Sequence, residues 1–104
     1  MLTLRDPNRR PTHPGAMLRE DVLPNLKMTQ AEFATYLGVS RLTVSELLHE
    51  KRALTADMAV RLGIVLRTSP ESWLRMQAAV DLFEAQQRDE NQAAKPLAKA
   101  KLAA

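Results

Sequence analysis

The chain has 104 residues, 45% of them hydrophobic but only 4% aromatic, which allows one domain around a single core and favours helices over sheets. With no cysteine, disulfides and thiolate metal sites are excluded, and a reducing, cytoplasmic setting is expected. The formal charge of +3 sits at the two ends: residues 13–87 hold eight basic and nine acidic side chains, so charge alone does not mark the middle as a binder of nucleic acid.

Residues 1–12, punctuated by Pro7 and Pro11 and without periodicity, are expected to form an extended arm. Asp6, Pro7 and Asn8 interrupt the place where a signal peptide would need an apolar stretch. A first helix is predicted from Pro14, burying Leu18 and Val22 and stopping before Pro24. Thr29-Gln30-Ala31-Glu32 is a capping box that opens a second helix, with Phe33, Ala34 and Leu37 on its apolar face and Gly38 at its end. Ser40 then caps a third helix, whose inward face is Val44, Leu47 and Leu48 and whose outward face includes Arg41, Leu42, Ser45, Glu46 and His49.

After a turn through Glu50–Ala53, Thr55 caps a fourth helix with Met58, Ala59, Leu62 and Leu66 as its buried stripe. Its apolar run from Val60 to Leu66 is too short to cross a bilayer and is broken by Arg61 and Gly63, so no membrane partner is expected. Ser69-Pro70-Glu71 opens a fifth helix running to about Gln87. Residues 13–87 form the expected domain, and residues 88–104, rich in Ala and Lys, the expected flexible tail.

Two short helices joined by a tight turn, with small polar side chains opening the second, are what reading a major groove requires. The run Gln30-Ala31-Glu32-Phe33-Ala34, Leu37-Gly38-Val39-Ser40, Thr43-Val44-Ser45 and Leu47-Leu48 resembles the lambda-repressor-like helix-turn-helix. With His13-Pro14-Gly15, Leu18-Arg19-Glu20, Ala53-Leu54-Thr55 and Ser69-Pro70-Glu71-Ser72-Trp73-Leu74-Arg75-Met76-Gln77, the resemblance narrows to the HigA family of antitoxins over residues 12–84. It implies an all-α, five-helix domain acting as a homodimer on a palindromic operator. It also implies a protein partner, a HigB-like toxin related to RelE that cleaves mRNA. By position, Gln30 would anchor the second helix at a phosphate, Ser40, Arg41, Thr43, Ser45 and Glu46 would face the groove, and Lys51 with Arg52 would lie near the backbone. The chain departs from the family at Glu46, often basic or amide, and at Glu50, often Gly.

Arg41 has the forked donors that match guanine O6 and N7, whereas Glu46 accepts from a cytosine amino group and repels phosphate. Thr43, Ser45 and His49 also read as ordinary helix-surface residues, and His13 as a capping or packing residue. Neither histidine has a nucleophile beside it and no glycine-rich phosphate loop exists, so no enzyme, cofactor, metal or small-molecule ligand is expected. The fifth helix carries two apolar stripes, Trp73, Met76, Val80 and Phe83 against Leu74, Ala78, Leu82 and Ala85. One stripe suffices to cover a small domain, so a dimer interface drawn from Trp73, Leu74, Ala78 and Leu82 is expected, unless both stripes are covered within one protomer. A stand-alone repressor without a toxin and a helical adaptor that has lost DNA binding are the alternative functions.

Overall fold

The first helix begins at the expected residue and ends later than expected. In the computed structural model, which describes residues 9–98, it runs without a break through Pro14–Met17 in α geometry, Leu18–Val22 in π geometry and Leu23–Leu26 in α geometry, together α1. The expected stop before Pro24 is wrong for a local reason. Proline has no N–H to give to the preceding turn, and its ring crowds the carbonyl four residues back. Here that turn is wound wider, with the Leu23 N–H reaching the Leu18 carbonyl five residues back, so the ring is accommodated inside the helix. The helix ends instead at Lys27, whose φ of 53° is left-handed.

Four further helices follow: α2 Gln30–Leu37, α3 Arg41–Leu48, α4 Ala56–Leu66 and α5 Pro70–Gln86. Each opens on a hydroxyl cap. Thr29, Ser40, Thr55 and Ser69 accept from the backbone N–H three residues on, which satisfies one orphan donor per helix. The architecture is all-helical among the described residues, as the composition and caps predict. None of its helices is long and apolar enough to cross a membrane.

The helices enclose one apolar cluster, with Leu18, Phe33, Leu47 and Leu62 almost fully buried at its centre. Gly15 lets α1 approach α3 closely: a Cβ there would stand 1.8 Å from the Leu47 carbonyl oxygen, so only hydrogen fits. α3 is thereby set directly against the start of the domain.

On α5 the inward stripe differs from the expected one. Trp73 and Val80 are buried, but Met76 and Phe83 are only partly covered, and Gln77 is buried between Trp73 and Val80. Both polar atoms of its side chain are engaged: Oε1 accepts from the Leu54 N–H at 2.7 Å and Nε2 donates to Asp81 at 2.9 Å. An amide tied to the α3–α4 connection is satisfied in the interior, which polarity alone did not reveal. Trp73 is corrected as a dimerisation candidate, because only 4% of it is exposed and its indole N–H donates to Thr68 Oγ1 within the protomer.

Beyond α5 the chain makes a 3₁₀ turn over Asp89–Ala93, and Asn91 and Gln92 donate to the Ala85 and Gln86 carbonyls. None of that turn is buried. The described end of the expected arm, residues 9–12, is pinned to the domain, with Pro11 buried. The remainder of the arm, residues 1–8, and of the tail, residues 99–104 with Leu102, lie outside the described residues.

Candidate nucleic-acid interface

The α2–α3 pair is closed by two devices. Gly38, at φ 71°, supplies the left-handed residue that ends α2. Arg61 of α4 reaches across to donate to the Leu37 carbonyl at 2.7 Å, satisfying one of the last carbonyls of α2. The first device is visible in the sequence. The second is not, since Arg61 lies 24 positions beyond its partner and has the look of a surface arginine.

At the start of α3, Ser40 Oγ accepts from the Thr43 N–H at 3.1 Å and lies 2.9 Å from Thr43 Oγ1. These two hydroxyls fix the helix end as well as facing outward. Arg41 beside them is exposed, as is Lys51 after the helix, and neither enters an ion pair among the described residues. Gln30, at the first position of α2, is half-buried, and so are Thr43, Ser45 and Glu46. His49 Nδ1 lies 2.7 Å from the Ser45 carbonyl oxygen, so that nitrogen carries its proton and the ring is folded back along α3. Arg52 Nη2 stands 2.8 Å from Glu46 Oε1, a pair that joins α3 to the turn after it. The structure thus gathers Ser40, Arg41, Thr43, Ser45 and Glu46 on α3, with Gln30, Lys51 and Arg52 on the neighbouring segments. Leu74, Ala78 and Leu82 are exposed on α5, outside this group.

The far end of α3 is held by an ionic corner that the sequence did not announce. Glu50 has φ 61°, a left-handed conformation that costs a side chain about 1 kcal/mol or more and explains why glycine suits the position. Its carboxylate accepts from Arg10 at 3.2 Å and from Arg19 at 3.3 Å. Arg19 also donates to the Leu48 carbonyl at 2.6 Å, and Arg10 to Glu84 of α5 at 2.9 Å. Burial pushes the Glu50 carboxyl up, but the two arginines outweigh it and hold it below the usual carboxylate range. The partner carboxylates in turn hold the Arg10 guanidinium above its ordinary value, Glu84 contributing most. His13, buried beside this corner, caps α1 by accepting the Gly15 N–H on Nδ1 at 2.9 Å, and its burial pushes its pKa down. The only signal of the corner in the sequence was Glu50 itself, a charged residue where a turn favours glycine.

The arrangement presents one helix seated by its neighbours, with Ser40, Arg41 and Leu42 exposed at its start among the described residues. Among the described residues there is no group of three His, Cys, Asp or Glu placed to hold a metal ion. The Helix-turn-helix family matches residues 18–73. Among curated proteins, the chain is 42% identical to the Escherichia coli K12 protein described as an uncharacterized HTH-type transcriptional regulator, YbaQ, over 78% of this chain and 72% of that one. It is 38% identical to antitoxin HigA-1 of Vibrio cholerae over 90% of both chains. Among solved structures, antitoxin GraA in complex with its operator superposes with a TM-score of 0.78 at 39% identity, covering 91% of this chain and 98% of that one.

Proposed function

The chain belongs to the helix-turn-helix family that includes the HigA antitoxins, and from that premise we propose that it is an autoregulating antitoxin. As a homodimer it represses its own operon at a palindromic site and neutralises a HigB-like, mRNA-cleaving toxin. The observation that carries the reading is α3 itself: a capped helix with Ser40 and Arg41 uncovered at its start and Lys51 uncovered beyond its end, in a chain 39% identical to an antitoxin solved on its operator. Two such helices about 34 Å apart in a dimer meet successive major grooves on one face of the duplex. Leu74, Ala78 and Leu82 of α5 are exposed and supply the dimer seam.

Both acidic departures support DNA binding over the adaptor alternative. Glu50 is taken up by Arg10 and Arg19, and Glu46 is paired with Arg52, so neither stands as an isolated negative charge in front of phosphate. Toxin binding falls to the folded body, because the tail, residues 88–104, has only Leu97 and Leu102 as large apolar side chains and its net charge of +2 has the same sign as that of a basic RNA-cleaving toxin.

The test is co-expression with the short basic reading frame beside the gene. The full chain, the chain lacking residues 89–104 and the Arg41→Ala variant should all restore growth, while Arg41→Ala alone loses binding to upstream DNA. Rescue that requires the tail would move toxin binding there. Strong DNA binding with no rescue would leave the stand-alone repressor, the second reading, which the 42% identity to a transcriptional regulator favours.

A further inference from the structure

The most exposed apolar side chain on the reading helix has no role so far. Leu42, the second residue of α3, is 67% exposed. At about 100° per residue it stands about 160° from Val44, the centre of the buried face, so it points away from the core. Glu46 lies one turn further along the same outward line, with Ser45 beside it, and Arg41 precedes Leu42 at the helix start. Leu42 is therefore at the middle of the face that the proposed function turns to DNA, surrounded by polar neighbours.

We propose that Leu42 is a specificity-determining residue that reads the 5-methyl group of a thymine in the major groove. The inference rests on the DNA-binding reading above and adds what that reading lacks, a base preference for one position. The groove floor limits the choice. Its edges present N7, O6 and O4 acceptors and N4 and N6 amino donors, and the thymine methyl is the one apolar group among them. A leucine pressed against an amino or carbonyl edge strips its water and returns no hydrogen bond, which disfavours the pair. Against a methyl the same side chain buries apolar surface on both partners. Leu42 thus selects for thymine and against cytosine at its position. A lone leucine among Arg41, Ser45 and Glu46 has too little apolar surface to hold a protein partner, but enough to cover one methyl.

The experiment uses the full chain. Its preferred duplex is selected from random sequence, and each thymine in one half-site is then replaced, one at a time, by deoxyuridine, which lacks only the methyl. One replacement should weaken binding about fourfold, the worth of one buried methyl, and the others should be neutral. In Leu42→Ala that same replacement should become neutral, with the helical circular dichroism and the salt dependence of binding unchanged. A parent protein indifferent to every replacement would overturn the proposal, and so would a Leu42→Ala variant with the parent's methyl sensitivity. If no duplex is selected at all, the DNA-binding reading itself fails, a distinct result. Should Leu42→Ala fold poorly, Leu42→Ser and Leu42→Val divide the question: valine must keep the methyl dependence and serine must lose it.

Discussion

The two ends of α3 are built in opposite ways. Its start is capped by residues three apart in the chain, Ser40 and Thr43. Its end is held by residues that the chain supplies from 29 to 40 positions away, Arg19 on the Leu48 carbonyl and Arg10 on Glu50. In the proposed DNA-binding reading, the groove-facing end is thus capped by short-range geometry, and the end that carries Lys51 and Arg52 is set by the tertiary fold.

The largest effect should come from the packing beneath that seat. Gly15→Ala forces a Cβ onto the Leu47 carbonyl, a backbone atom that cannot swing aside, and α1 must lift from α3. We expect a loss of about 3 kcal/mol in denaturant unfolding, at the upper end of overpacking costs. A variant within 0.5 kcal/mol of the parent (roughly the scatter of surface substitutions) would show that α1 and α3 are not seated as described.

Next come the two ends compared directly. Ser40→Ala should cost about 1 kcal/mol through loss of the cap, and should also weaken DNA binding because Arg41 is the next residue. At Glu50 two contributions oppose each other. Glu50→Ala loses the arginine contacts and keeps the left-handed strain, whereas Glu50→Gly loses the same contacts and removes the strain. Glycine should therefore be more stable than alanine there by about 1 kcal/mol. Because the ion pairs are partly solvent-exposed, Glu50→Gly should stay within about 1 kcal/mol of the parent. Equal stability of the glycine and alanine variants would mean that the turn is not held in that conformation.

How far each end could be read in advance follows from the same contrast. Thr29, Gly38, Ser40, Thr55 and Ser69 each act within a few residues, so helices α2 to α5 and the turn between α2 and α3 were legible. Pro24 misled because a breaker rule is local, and the π turn that absorbs it is a response of the whole helix. Gln77 and Trp73 were placed wrongly or too loosely by periodicity, since spacing gives a direction but not what waits there: Leu54 for the amide, Thr68 for the indole. The candidate groove residues were found together at α3, while Arg61, which holds the end of α2, and Arg10 and Arg19, which hold the end of α3, bore no short-range mark.

The smallest expected effect concerns His13, which belongs to the seated end and titrates in a range of its own. Nδ1 accepts the Gly15 N–H, and an imidazolium has no lone pair left there, so the folded chain favours the neutral ring. Burial acts in the same direction and lowers its pKa from the ordinary value. The unfolded chain therefore binds the proton more readily than the folded one. Stability linked to His13 is complete above the unfolded value, about pH 6.5, and is lost as pH falls from there through the folded value. The Glu50 carboxyl, also lowered, contributes the same sign in a separate window: its share is complete above about pH 4.3, the unfolded value, and lost below it. Melting temperatures measured from pH 8 to pH 3 should fall in two steps. His13→Asn keeps a cap acceptor and cannot titrate, so it should flatten the upper step alone, and Glu50→Gly should shrink the lower one, which Glu32 and Glu71, held low by their cap hydrogen bonds, share. If His13→Asn leaves the fall near neutral pH unchanged, another group titrates there and the cap on α1 is not the source of the pH dependence.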